Sequence, residues 1–214
     1  MPRSFLVGIL PRMAAVTTAA GSPRSLWTLI SSRASYQEIS SYLDGLSAAA
    51  RVKEVLSITG SGVGRLYAAV IDAPTVTPEE FLPPSTKGTL IYEGRNSLVA
   101  FSRFQKRFLR LESGVIVGYN HQSMSFVTGP GYFVVKAANG EGEHGKELFF
   151  DYTVPPPETP AGWPAFKAND RGLSKLVYSD MIDFVRRVAT GIVVGKAYRK
   201  GIDQNAYFTL SIPR

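Results

Sequence analysis

The chain has 214 residues, enough for one domain with a buried core, and its 44% apolar and 19% charged content is that of a globular rather than a disordered protein. It has no cysteine, which excludes disulfides, thiolate zinc sites and cysteine nucleophiles. Its two histidines, His121 and His144, leave little for an imidazole metal site. The net charge of +7 is uneven: residues 1–36 hold Arg3, Arg12, Arg24 and Arg33 and no acid, while the rest holds 20 basic against 17 acidic side chains, so the body has little excess charge with which to hold nucleic acid.

Residues 1–36 are set apart as a basic N-terminal segment. Their Arg, Ser, Thr and Ala content without acids matches a transit peptide for a mitochondrion or plastid. The apolar stretch Phe5–Leu10 stops at Pro11 and Arg12, short for a secretory signal. A plain disordered terminus is the alternative, with a cytoplasmic location. No stretch reaches 18 apolar residues, so no membrane span is predicted.

Residues 37–86 read as helical. Ser47 suits the N-cap of a helix over AAARVKEVLSI, which puts Ala49, Val52, Val55 and Leu56 on one face. Gly60, Gly62 and Gly64 are expected to break it, with a second helix over about 65–72. These glycines lie between helices, not after a strand, so they lack the context of a phosphate-binding loop. Thr77-Pro78-Glu79-Glu80 is a helix start, with a capping hydroxyl, a proline in the first turn and acids at the positive dipole end.

Residues 87–214 turn to strands. They are predicted at 89–93, at about 105–111 after a short helix, and then at 114–122, 131–137, 146–154, 174–178, 181–188, 191–198 and 205–212. Leu148, Phe150, Tyr152 and Val154 alternate on one face, as do Ala206, Phe208, Leu210 and Ile212, which means one buried face and one wet face. Short glycine-rich turns join the strands, as in a meander that curls into a barrel. The proline-rich span 154–170 is expected to be a strap over an open end, anchored by Trp163. The fold class is thus α+β: N-terminal helices packed on a curled antiparallel β-sheet or barrel.

Val115, Val117, Tyr119 and His121 share one face of their strand, and Ile182, Phe184, Arg186 and Val188 share one of theirs. If these faces point inward, His121 is a candidate catalytic acid or base, and Arg186 and Tyr119 are candidate ligand-binding residues. The alternative leaves His121 in solvent and pairs Arg186 with a core carboxylate. Asp151 is expected in solvent, and Asp183 with Arg187 as an exposed ion pair. His144 falls in a hairpin loop and is given no role. The run from Arg103 to Arg110 mixes basic and aromatic residues and reads as a strand or helix with a wet basic face.

Val177-Tyr178, Ile182-Asp183, Arg186, Gly195, Lys200-Gly201 and Tyr207-Phe208 resemble the C-terminal part of lipocalin-like proteins of the GXWXG/DUF4334 type. That resemblance implies a calycin-style barrel and no particular activity. The leading functional expectation is binding of a small apolar or amphipathic molecule inside the barrel, with no cofactor and no metal. A cofactor-independent isomerase, lyase or cyclase on the same scaffold is the second. An accessory subunit of a larger, organellar assembly, with a protein partner, is the third.

Overall fold

The computed structural model describes residues 24–98, 102–121 and 129–213. Eight strands in sequence order form a closed antiparallel barrel, each hydrogen-bonded to the next and β8 to β1. They are β1 (Leu90–Asn96), β2 (Arg103–Arg110), β3 (Ile116–His121), β4 (Tyr132–Lys136), β5 (Leu148–Asp151), β6 (Met181–Ala189), β7 (Ile192–Arg199) and β8 (Ile202–Ser211). The architecture is compatible with a lipocalin-like fold. Closure leaves no unpaired sheet edge, which removes the usual route to edge-on association.

The inner face follows the period-two pattern. Leu148, Phe150 and Tyr152 point inward, as do Phe208 and Leu210, joined by Tyr92, Phe104, Phe108, Ile116, Phe133 and Val185. The barrel is narrow for so many aromatic rings, and glycines make the space. A Cβ on Gly195 would lie 2.2 Å from the Phe208 ring, and one on Gly118 would lie 2.4 Å from Phe133. Gly195→Ala therefore forces a ring off its rotamer, and a loss of about 1–3 kcal/mol is expected in denaturant unfolding.

Helices α1 (Leu26–Ser31), α2 (Tyr36–Asp44), α3 (Ala48–Ser57) and α4 (Ser61–Ala69) cover the outside of β6, β7 and β8. Leu26, Ile39, Leu43, Val55, Val63 and Leu66 are buried there against Val188, Ile192 and Val194 of the barrel. Ser47 caps α3 as the sequence suggests, and Ser25 and Ser35 head capping boxes. The layer begins inside the stretch that composition set apart as 1–36, since Leu26, Leu29 and Ile30 of α1 are buried. Transit-peptide features before residue 24 lie outside the described residues.

The second predicted helix starts earlier than expected. Gly60, at φ 51°, caps α4, and Gly62 and Gly64 sit within it. They are interfaces rather than breakers: Cβ atoms there would meet Trp27 at 3.0 Å and Tyr207 at 3.2 Å.

A short helix, α5 (Pro78–Phe81), starts at Thr77 with the expected capping box. It plugs one end of the barrel. Phe81 stacks on Tyr92 at 4.8 Å and meets Phe108 edge-on, and the Tyr92 hydroxyl donates to the Phe81 carbonyl. Arg110 holds the plug by donating to the Leu82 and Pro78 carbonyls, and Arg187 does so by donating to Glu80 and to the Thr75 carbonyl.

Two expectations fail in the chain that links β5 to β6. The stretch 174–178 is a helical turn, α6 (Ser174–Tyr178), not a strand. Its Leu176 and Val177 face solvent while Tyr178 packs on Tyr152, a one-sided burial that a turn of helix provides. The proline-rich strap does not cross an open end. Trp163 lies on the outside of the barrel, 4.7 Å from the Tyr119 ring, and donates to Thr89 Oγ1. Of the short helix expected before β2, residues 99–101 lie outside the described residues.

Candidate functional site

The end of the barrel opposite α5 holds a cavity of about 420 Å³. Phe104, Met181, Ala197, Ala206 and Phe208 line its wall, with Asn96, Arg199 and Gln204 as polar members, and Leu98, Leu176 and Val177 stand at its rim. Those three rim residues are exposed large apolar side chains.

The cavity floor is polar. Lys106, Asn120, Tyr152 and Asp183 all project into the barrel, and all four are buried. Lys106 reaches the interior because β2 alternates Phe104, Lys106 and Phe108 inward. Asn120 stands beside it, since Lys106 pairs with Asn120 across β2 and β3. Asp183 comes from β6 and Tyr152 from the end of β5.

The Lys106 ammonium donates to Asp183 Oδ2 at 3.0 Å, to Asn120 Oδ1 at 2.8 Å and to the Tyr152 hydroxyl. Its three hydrogens are thereby used. The Tyr152 hydroxyl also lies 3.0 Å from Asp183 Oδ2, and Asn120 Nδ2 donates to it at 3.1 Å. Asp183 Oδ1 takes no part in these bonds. Aromatic rings surround the ammonium, with the Phe133 and Phe208 centroids at 4.9 and 5.0 Å.

Burial pushes the Lys106 ammonium below its ordinary range, against the opposing pull of Asp183. Burial, reinforced by the Asp183 charge, pushes the Tyr152 hydroxyl well up, so it stays a neutral donor. The quartet thus holds one positive and one negative charge, a neutral phenol and an amide in an apolar tube.

The residues singled out from the sequence lie elsewhere. Tyr119 and His121 are on the outer face of β3, because Gly118 and Asn120 take the inward positions. Tyr119 packs under Trp163, and its hydroxyl accepts from Arg107 at 3.2 Å. His121 is exposed, with its ring 6.3 Å from Tyr119. Partial burial and then the nearby Arg107 charge lower its proton affinity.

Arg186 also faces outward, beneath α4. Its Nε donates to Glu147, its Nη1 donates to the Tyr67 carbonyl at 3.0 Å, and its guanidinium lies 3.8 Å over the Tyr67 ring. The structure therefore brings Tyr119 and His121 together, keeps Arg186 apart from them, and puts none of the three in the cavity. Arg186 has the carboxylate partner that the alternative reading of its charge required.

Other electrostatic expectations change as well. Asp183 and Arg187 do not pair: Asp183 belongs to Lys106, and Arg187 belongs to Glu80 at the plugged end. Asp151 is buried and paired with Lys136 at 2.6 Å. His144 is not a free loop residue, since Nδ1 lies 2.7 Å from Glu147 and the ring stacks on Phe184 at 3.9 Å.

The signal for the missed quartet was present in the run from Arg103 to Arg110. There Lys106 shares a period-two face with two phenylalanines, and a charge on such a face is either wet or paired. Among the described residues no cluster of three or more His, Asp or Glu is placed to hold a metal ion. No helix among them is long and apolar enough to cross a membrane. No family model, curated protein or solved structure matches the chain at significance.

Proposed function

We propose that the barrel binds a small, mainly apolar molecule whose neutral polar head, a hydroxyl by preference, meets the Lys106–Asp183 floor. One observation carries the reading: a cavity with a mainly apolar wall and rim, interrupted by Asn96, Arg199 and Gln204, ends on a buried, hydrogen-bonded polar quartet. Its volume falls within the roughly 300–1,000 Å³ of small-molecule sites, and an apolar wall with a few convergent polar groups is their common makeup. Stability alone gives no reason for the quartet, because a buried ion pair is commonly no better than apolar residues of the same size.

The electrostatics favour a neutral head. The Lys106 hydrogens are all taken and the Arg199 guanidinium is engaged with the Leu176 and Val177 carbonyls, so an entering carboxylate would have to displace those bonds and would bring a second negative charge beside Asp183. A hydroxyl could donate to Asp183 Oδ1 at no such cost. With this reading goes a distant kinship to the GXWXG proteins, proposed on residues alone. Of the residues that carry the likeness, Asp183 is the floor carboxylate and Gly195 the glycine beneath Phe208.

The test is displacement of a neutral dye, Nile red, from the full chain. Decanol is expected to displace the dye at lower concentration than decanoate. Ala206→Trp, which fills the cavity wall, should weaken dye binding by about tenfold or more, the equivalent of about two buried methylenes. Arg186→Ala should leave it unchanged. Stronger displacement by decanoate, or normal dye binding by a folded Ala206→Trp variant, would refute the reading.

A further inference from the structure

We infer that Lys106 captures an apolar aldehyde or ketone covalently, as an imine on Nζ within the barrel. The inference rests on the cavity being a binding site and adds a reaction to it. Lys106 is the one lysine of the chain that is buried; the others are exposed or half-buried. It alone among them lines the cavity. Its Nζ sits at the floor of a mainly apolar cavity, where a molecule entering tail-outward would present its head.

Imine formation requires an amine that can shed its proton, an acid–base group beside it, and shelter from water. Each is present. Lys106 is 3% exposed, which shelters Nζ from water and lowers its hold on the proton, with Asp183 opposing that shift. Asp183 Oδ2 lies 3.0 Å away to receive that proton. The raised Tyr152 hydroxyl stays protonated and can donate to a developing alkoxide.

The step balances without a further reagent. Asp183 takes a proton from Nζ, and the freed lone pair forms the Nζ–C bond as the C=O π pair moves onto oxygen. Asp183 passes its proton to that oxygen. It then takes a second proton from nitrogen and delivers it to the resulting hydroxyl. The hydroxyl leaves as water, and the nitrogen lone pair closes the C=N bond. One oxygen and two hydrogens depart. The product is a protonated imine that carries the same single positive charge beside the Asp183 carboxylate, so the paired site keeps its neutrality.

The experiment incubates the full chain with decanal near neutral pH, reduces with sodium borohydride, and maps the secondary-amine adduct by peptide mass spectrometry. One adduct per chain is expected, on Lys106, and it should be lost in Lys106→Met/Asp183→Leu, which removes the amine without leaving a lone charge. Omission of borohydride should lose the adduct from the wild-type chain after denaturation, since an unreduced imine hydrolyses. Decanol, which has the same tail and no carbonyl, separates the two claims. If decanol displaces Nile red but decanal labels only exposed lysines, and labels the double variant equally, the imine is overturned and the binding reading stands. If neither compound displaces the dye and Lys106 stays unlabelled, both fall.

Discussion

Asp183→Ala is expected to destabilise the protein by about 3–5 kcal/mol, whereas Lys106→Met/Asp183→Leu is expected to unfold at a denaturant concentration no lower than wild type. The single change strands an ammonium that is 3% exposed and ringed by Phe104, Phe133, Phe150, Tyr152 and Phe208. Asn120 and Tyr152 still accept from it but carry no opposing charge. The double change replaces two ions by apolar groups of similar volume, which in buried pairs is neutral or favourable by up to about 4 kcal/mol.

The pH dependence gives an independent reading. Burial already lowers the proton affinity of Lys106, and Asp183 is what opposes the shift. Without Asp183 the folded value falls further below the unfolded one. Between the two values the unfolded chain binds more protons than the folded one, so stability rises with pH there. The Asp183→Ala variant should therefore recover part of its loss as pH rises toward the ordinary lysine value, where the folded-state lysine has shed its proton and the unfolded one has not. A loss under about 0.5 kcal/mol, flat with pH, would mean that Lys106 is not held in the barrel as described.

The barrel was legible in sequence where one face is wet, and illegible where both are covered. Leu148, Phe150 and Tyr152, like Phe208 and Leu210, announce their inward face by alternation. In β3 and β6 the rule loses its footing. Tyr119 is apolar because Trp163 covers it from outside, and Val188 because the helical layer does. Each strand then offers two apolar faces, and choosing the more hydrophobic one selects the outer. Small inward residues were the better guide: Gly118 and Gly195 are inward because rings from neighbouring strands lie across them. The cavity quartet escaped for a related reason. Lys106 and Asp183 stand far apart in sequence, and each alone reads as a wet charge, whereas in the closed barrel they meet at 3.0 Å.

Glu147→Ala should cost a comparable 3–5 kcal/mol, yet leave the cavity intact. Glu147 is buried at the junction of α4 with the barrel, where it holds three partners. The Tyr67 hydroxyl donates to it at 3.0 Å, His144 Nδ1 lies 2.7 Å away, and Arg186 Nε completes the set. Its loss leaves Arg186, whose side chain is 11% exposed, without a counter-charge between Tyr67 and the sheet. Burial and the Glu147 charge raise the proton affinity of Tyr67, so its hydroxyl stays a donor and loses its acceptor in the variant.

Tyr67→Phe is the milder probe, at about 1.5–3 kcal/mol, because it removes one hydrogen bond to a charged group and leaves the Glu147–Arg186 pair in place. These bonds tie the helical layer to β6, so the loss should concentrate there. Limited proteolysis of Glu147→Ala should cut within residues 26–81 before the barrel. Nile red should still bind at denaturant concentrations below the transition, since none of these residues lines the cavity. Loss of dye binding in a folded Glu147→Ala or Arg186→Ala variant would instead return Arg186 to the ligand-holding role that its strand face first suggested.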